Sequence, residues 1–177
     1  YVTIASNRQW RVAATVAGLG SVALFAYISS SPAVLMDYYG LDHTAFALTF
    51  AGLAACFAIG AQINMRMLKR FKVRSLLESS VFVQAMASWT VLIMALFIMP
   101  MTPFLLPLVI ALMTVAGVNS NGMALALDPF PRAAASAAAL VGGLQMTLGA
   151  IASAGLSAMA MPAPIEMGIV MALAGTI

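Results

Sequence analysis

The chain has 177 residues, of which 63% are hydrophobic and 7% charged, and its mean hydropathy is +1.04. A soluble domain carries about a quarter charged residues, so this chain cannot cover itself against water and must meet a bilayer. Its formal charge of +3 rests on eight Lys and Arg, and its one cysteine, Cys56, excludes an internal disulfide and a cysteine-based zinc cluster.

The sequence opens at Tyr1 with no basic segment, apolar core and small-residue cleavage site in series, so no signal peptide is expected. A start without methionine and an end inside an apolar run read as a piece of a longer protein. Five full apolar runs and a partial one follow. The predicted helices cover about residues 12–36, 45–65, 76–99, 103–124 and 133–161, with a last run from 167 that is cut off at 177. Crossing about 30 Å of hydrocarbon at 1.5 Å per residue takes roughly 20 apolar residues, which most of these runs supply. The runs are continuously apolar with no period-two alternation, so the predicted fold class is all-α, a polytopic transmembrane helix bundle rather than a barrel.

The breaks carry turn chemistry: Tyr39-Gly40, Pro100 to Pro103, Asp128 to Pro131 and Pro162 to Pro164. In the fourth run, Asn119-Ser120-Asn121-Gly122 reads as the fraying cytoplasmic end of a helix, although the weakly polar continuation toward Leu127 could extend that run. Small residues recur at four-residue spacing, Gly52, Cys56 and Gly60 in the second run and Ala135, Ala139, Gly143 and Thr147 in the fifth. Such faces serve close helix packing in lipid.

Arg8 and Arg11 precede the first helix, Arg66, Lys69, Arg70, Lys72 and Arg74 separate the second from the third, and Arg132 separates the fourth from the fifth. In an alternating topology all eight therefore lie on one side, while the opposite loops hold Asp37, Asp42 and Glu166. This is the positive-inside pattern, which places the N-terminus and the RMLKRFKVR loop in the cytoplasm. That loop thus reads as an orientation signal with attraction to anionic headgroups, and not as a nucleic-acid patch. Trp10 and Tyr38-Tyr39 fit the aromatic belts at the two interfaces.

No enzyme constellation is visible. His43 stands without a nearby cysteine or paired acid, so no metal site and no cofactor are expected. The polar residues within spans include Tyr27, Ser30 and Ser31 in the first, Gln84 in the third and Gln145 in the fifth. Neutral polar groups of this kind either bridge helices or face a water-filled cavity and contact a solute. These five are the substrate-binding candidates, and Pro32 beside the serines permits a kink or local unwinding. Asp37 is the best acid available for proton coupling, although it lies at a helix end where an interfacial role also fits.

Two stretches carry a family resemblance. The segment YISSSPAVLMDYYGLDHTAFALTFAGLAACFAIGAQINMRMLKRF resembles the seventh and eighth helices of the bicyclomycin-resistance (Bcr/CflA) branch of the major facilitator superfamily. PFPRAAASAAALVGGLQMTLGA is similar to that branch's approach to helix eleven. The resemblance implies a twelve-helix drug:proton antiporter of the bacterial inner membrane, of the kind that confers antibiotic resistance. This chain would be most of its C-terminal six-helix half, with the N-terminal half missing. It further implies that Gly60, Asn64, Arg66, Lys69 and Arg70 approximate the superfamily's cytoplasmic loop motif, a latch in the alternating-access cycle. Asn64 stands where the stronger form has aspartate, and Ala135 where a glycine is expected, so the latch should be weaker or differently built. The implied partners are the lipid bilayer, a small-molecule substrate, protons and the missing half, whose proton carrier would complete the machine. The competing readings are a non-transporting membrane subunit or another solute carrier of the same fold.

Overall fold

A computed structural model describes residues 2–158 and 161–176. A short helix α1 (Val2–Ser6) leads into five long apolar helices: α2 (Arg8–Pro32), α3 (His43–Met67), α4 (Val73–Leu96), α5 (Met101–Leu127) and α6 (Ala134–Ala158). A shorter apolar helix, α7 (Ala163–Thr176), follows. Each long helix is both apolar enough and long enough to cross a bilayer, so the chain is an all-helical transmembrane bundle.

Local chemistry sets the helix starts. The Asn7 side chain accepts a bond from Trp10 N at 3.0 Å and caps α2, which therefore begins at Arg8, ahead of the apolar run expected from residue 12. Asp42 does the same for α3 through Ala45 N at 2.7 Å. Between these two helices, Gly40 adopts φ +73°, a left-handed conformation that a Cβ would disfavour. The irregularity expected near Pro32 takes a definite form: residues Ala33–Tyr38 continue α2 as a π-helix. Pro32 lacks an N–H, and the wider turn closes through Tyr39 N to Val34 O at 3.1 Å.

The connections after α2, α3, α4 and α5 are far too short to recross about 30 Å of hydrocarbon, so successive helices run in opposite directions. Two contacts fix the ends. Gln9 Nε2 donates to Leu125 O at 3.1 Å and to Asp128 Oδ2 at 3.4 Å, joining the start of α2 to the end of α5. At the other end, the Tyr39 hydroxyl donates to Met99 O at 3.1 Å. Burial, with Tyr38 beside it, pushes the Tyr39 phenol up to about 12, which keeps it a neutral donor. The basic loop, Arg8, Arg11 and Arg132 thus share one end of the bundle, and Asp37, Asp42 and Glu166 the other.

Helix α5 sits at the centre, packed against α4, α2 and α3, while α2 also packs on α6 and α7. Half of the apolar stretch of α5 is buried, against 11% for α3 and 17% for α6. Phe104, Leu108, Leu112 and Val115 of α5 are buried in one cluster with Tyr27, Val91 and Met171.

Two expectations change. The Asn119–Gly122 segment is no helix end: α5 continues to Leu127, and Asn121 and Gly122 are buried. The small-residue stripes also split. A Cβ on Gly60 would overlap the backbone of Met113, so α3 and α5 approach closely there. Gly52 and Gly143, by contrast, have nothing within 4 Å beyond their own helices, and Ala135, Ala139 and Thr147 are exposed. Parts of the expected fifth and sixth spans, 159–160 and 177, lie outside the described residues.

Candidate functional site

The polar groups within the bundle fall into two sets. One surrounds α2. Gln84 of α4 donates to Gly20 O at 3.1 Å, and Gln145 of α6 reaches Ala17 O at 3.5 Å. Ser21 Oγ lies 2.9 Å from both Ala17 O and Asn119 Oδ1 of α5. Apart from the Ser21–Ala17 bond, which stays within α2, these bonds tie α2 to α4, α5 and α6, as polar side chains do within a bilayer.

Tyr27, Ser30 and Ser31 lie further along α2, all buried. The Tyr27 ring stacks on Phe50 of α3 with centroids 5.5 Å apart and planes 18° from parallel. Its hydroxyl is buried without a hydrogen-bond partner among the described residues. Ser31 Oγ turns back to Ile28 O at 3.1 Å. The structure therefore groups Tyr27, Ser30 and Ser31, and sets Gln84 and Gln145 nearer the basic end as helix bridges. Asp37 is exposed at the opposite end.

The second set joins α3 to α5. Asn121 Nδ2 donates to Asn64 Oδ1 at 2.9 Å, and Asn64 Nδ2 donates to Asn121 Oδ1 at 3.2 Å and to Ser120 Oγ at 3.0 Å. Both asparagines are buried. Gly117 makes room for the pair, since a Cβ there would stand 2.9 Å from Ser80 Oγ and 3.4 Å from Asn64 Oδ1. Together with the close approach at Gly60, this fixes the basic ends of α3 and α5 against each other. Arg66, Lys69 and Arg70 are exposed, and among the described residues none is paired with an acid. The ion pair found in this region joins Arg74 to Glu78 at 3.0 Å across one exposed turn of α4.

Beside the pair, a groove of about 310 Å³ opens between α3 and α4 over α5. Gly60, Asn64 and Met67 line one wall, Ser79 and Ser80 the other, with Thr114 on the floor. Asn121, Ser120, Ser80 and Gly117 were not singled out as site residues from the sequence. One signal was available: the apolar run resumes at Met123 to Leu127, which places the asparagines inside a helix. Among the described residues no group of His, Cys, Asp and Glu is arranged to hold a metal ion.

A membrane bundle with polar bonds at its centre and one strongly basic end is the class defined so far. Over 129 residues the chain is 30% identical to an uncharacterized MFS-type transporter, YdgK, of Bacillus subtilis (strain 168). The match takes in 73% of this chain and 32% of the relative, so the chain spans about a third of the length of the curated relative it matches. No family model matches the chain, and no solved structure matches it at a significant level.

Proposed function

We propose that this chain is the C-terminal half of a secondary active transporter of the major facilitator type. In this reading it exports drugs or other small amphipathic compounds in exchange for protons, by alternating access, across a bacterial inner membrane. The observation that carries it is the uneven covering of the bundle. Helices α2 and α5 are enclosed, whereas α3 and α6 expose long apolar faces with small residues at Gly52 and Gly143. Those are the faces a second half would meet. In parallel-repeat transporters a substrate cavity forms between the halves, near the midplane.

Tyr27, Ser30 and Ser31 are the substrate contacts we favour. The Tyr27 hydroxyl is buried and partnerless beneath Phe50 of α3, so a solute satisfies it only once α3 shifts off the ring during the alternating-access cycle. Gln84 and Gln145 hold the helices that frame it. The loop residues Gly60, Asn64, Arg66, Lys69 and Arg70 form the latch at the cytoplasmic end. Asn64 contributes a neutral amide bond to Asn121 where a charged motif would use an ion pair. The proton carrier lies in the other half, because Asp37 is exposed at the external end. The N-terminus and the basic loop face the cytoplasm.

The test is a susceptibility panel in cells lacking their major efflux systems. Expression of the full-length protein should raise tolerance to one or more amphipathic antibiotics or dyes, and a proton ionophore should remove the effect. Unchanged tolerance across the panel, with the protein present in the membrane, would argue for a carrier of other solutes or a non-transporting subunit.

A further inference from the structure

The groove between α3 and α4 is apolar along most of its length, with Ile63, Leu76, Ile110 and Met113 adding to the walls. Its basic end is closed in a particular way. Met67, the last residue of α3, and Leu76, in the first turn of α4, both line the groove, and the chain joining them is the basic loop. That loop and the turn after it carry Lys69, Arg70, Lys72 and Arg74, with Arg66 one residue before Met67 and Arg74 turned to the other side of α4 beside Arg8 and Gln9. Only Arg74 among them has an acidic partner in the described residues. Lys72 also leaves the first turn of α4 without a side-chain cap, which adds to the positive field there.

An apolar slot running into the membrane below a cluster of unpaired cations matches one kind of molecule. We infer that this groove seats an anionic glycerophospholipid, with an acyl chain along Ile63, Ile110 and Met113 and the phosphate among Arg66, Lys69, Arg70 and Lys72. A zwitterionic lipid offers the same chain but no net charge to the loop. The seat borders the Asn64–Asn121 pair, so an occupied groove would brace the α3–α5 contact from the lipid side. The proposal needs the chain to span a membrane, but not to transport.

The test is native mass spectrometry of the full-length protein in mild detergent, titrated with phosphatidylglycerol or with phosphatidylcholine of the same acyl chains. Phosphatidylglycerol is expected to fill one saturable site about tenfold more tightly than phosphatidylcholine. The triple variant Lys69→Gln, Arg70→Gln, Lys72→Gln should lose that preference, while Arg8, Arg11, Arg66, Arg74 and Arg132 remain to hold the orientation. Ser79→Trp, which fills the groove without changing charge, should weaken phosphatidylglycerol binding by a similar factor. If Ser79→Trp lowers the melting temperature, Thr114→Met on the floor serves in its place. Equal binding of the two lipids overturns the proposal. So does loss on charge removal with none on groove filling, which would mean diffuse surface attraction. Absence of any saturable lipid also overturns it, since another segment of the longer protein would then occupy the groove. Binding is read without transport, so a failed transport assay leaves the result standing.

Discussion

Asn64 of α3 and Asn121 of α5 donate to and accept from each other, at 2.9 and 3.2 Å, within a largely apolar bundle. Both amides are buried, so the pair holds α3 to α5 beside the close approaches at Gly60 and Gly117. The bond is neutral and can part without leaving a bare charge in the membrane. That suits the latch role proposed for this end of the bundle.

Removing one amide strands the other. Asn64→Ala and Asn121→Ala should each destabilise the full-length protein by about 1–2 kcal/mol. The double variant should cost clearly less than the sum. Unfolding midpoints in a graded denaturing detergent give the cycle, and strictly additive losses would show that the two side chains act independently.

Gly60 should tolerate nothing larger. Gly60→Ala drives a Cβ into the Met113 backbone and should cost about 1–3 kcal/mol by forcing α3 off α5. Gly52 has free space within this chain, yet lies on a face we assign to the other half. Gly52→Leu is therefore expected to lower the melting temperature of the full-length protein. An unchanged value would turn that face toward lipid.

Tyr27→Phe separates structure from function. The Tyr27 hydroxyl bonds to nothing among the described residues, so its removal should leave stability unchanged or slightly raised. Transport should fall several-fold if that hydroxyl meets the solute. Full transport by Tyr27→Phe would reduce the residue to packing on Phe50.

The orientation has its own test. Phe71, exposed in the basic loop, can be replaced by cysteine in a Cys56→Ala background of the full-length protein. An impermeant thiol reagent should label Phe71→Cys in inverted vesicles and spare it in intact cells. Labelling from outside would reverse the topology.

The spans were legible because each is a continuous apolar run that water excludes from any other arrangement. Polar depth was legible too, in Gln84 and Gln145, but not where those side chains point. Asn121 was misread because Asn-Ser-Asn-Gly has the local chemistry of a turn, while the partner that holds it in a helix is Asn64, far away in sequence. The stripe through Gly52 and Gly60 looked uniform, since spacing says that a face is small without saying what meets it. The π-helix after Pro32 had a visible cause but no visible geometry, because a missing N–H can be absorbed by a kink, an unwound turn or a widened one.

The central claim is that the bundle is half of a proton-driven exporter. It is tested most directly with full-length protein in proteoliposomes under an imposed pH gradient, following an amphipathic dye such as ethidium. The account predicts movement of the dye against its concentration gradient, driven by opposite proton flow and abolished by an ionophore. Dye movement that only runs downhill, or that is indifferent to the ionophore, would contradict it.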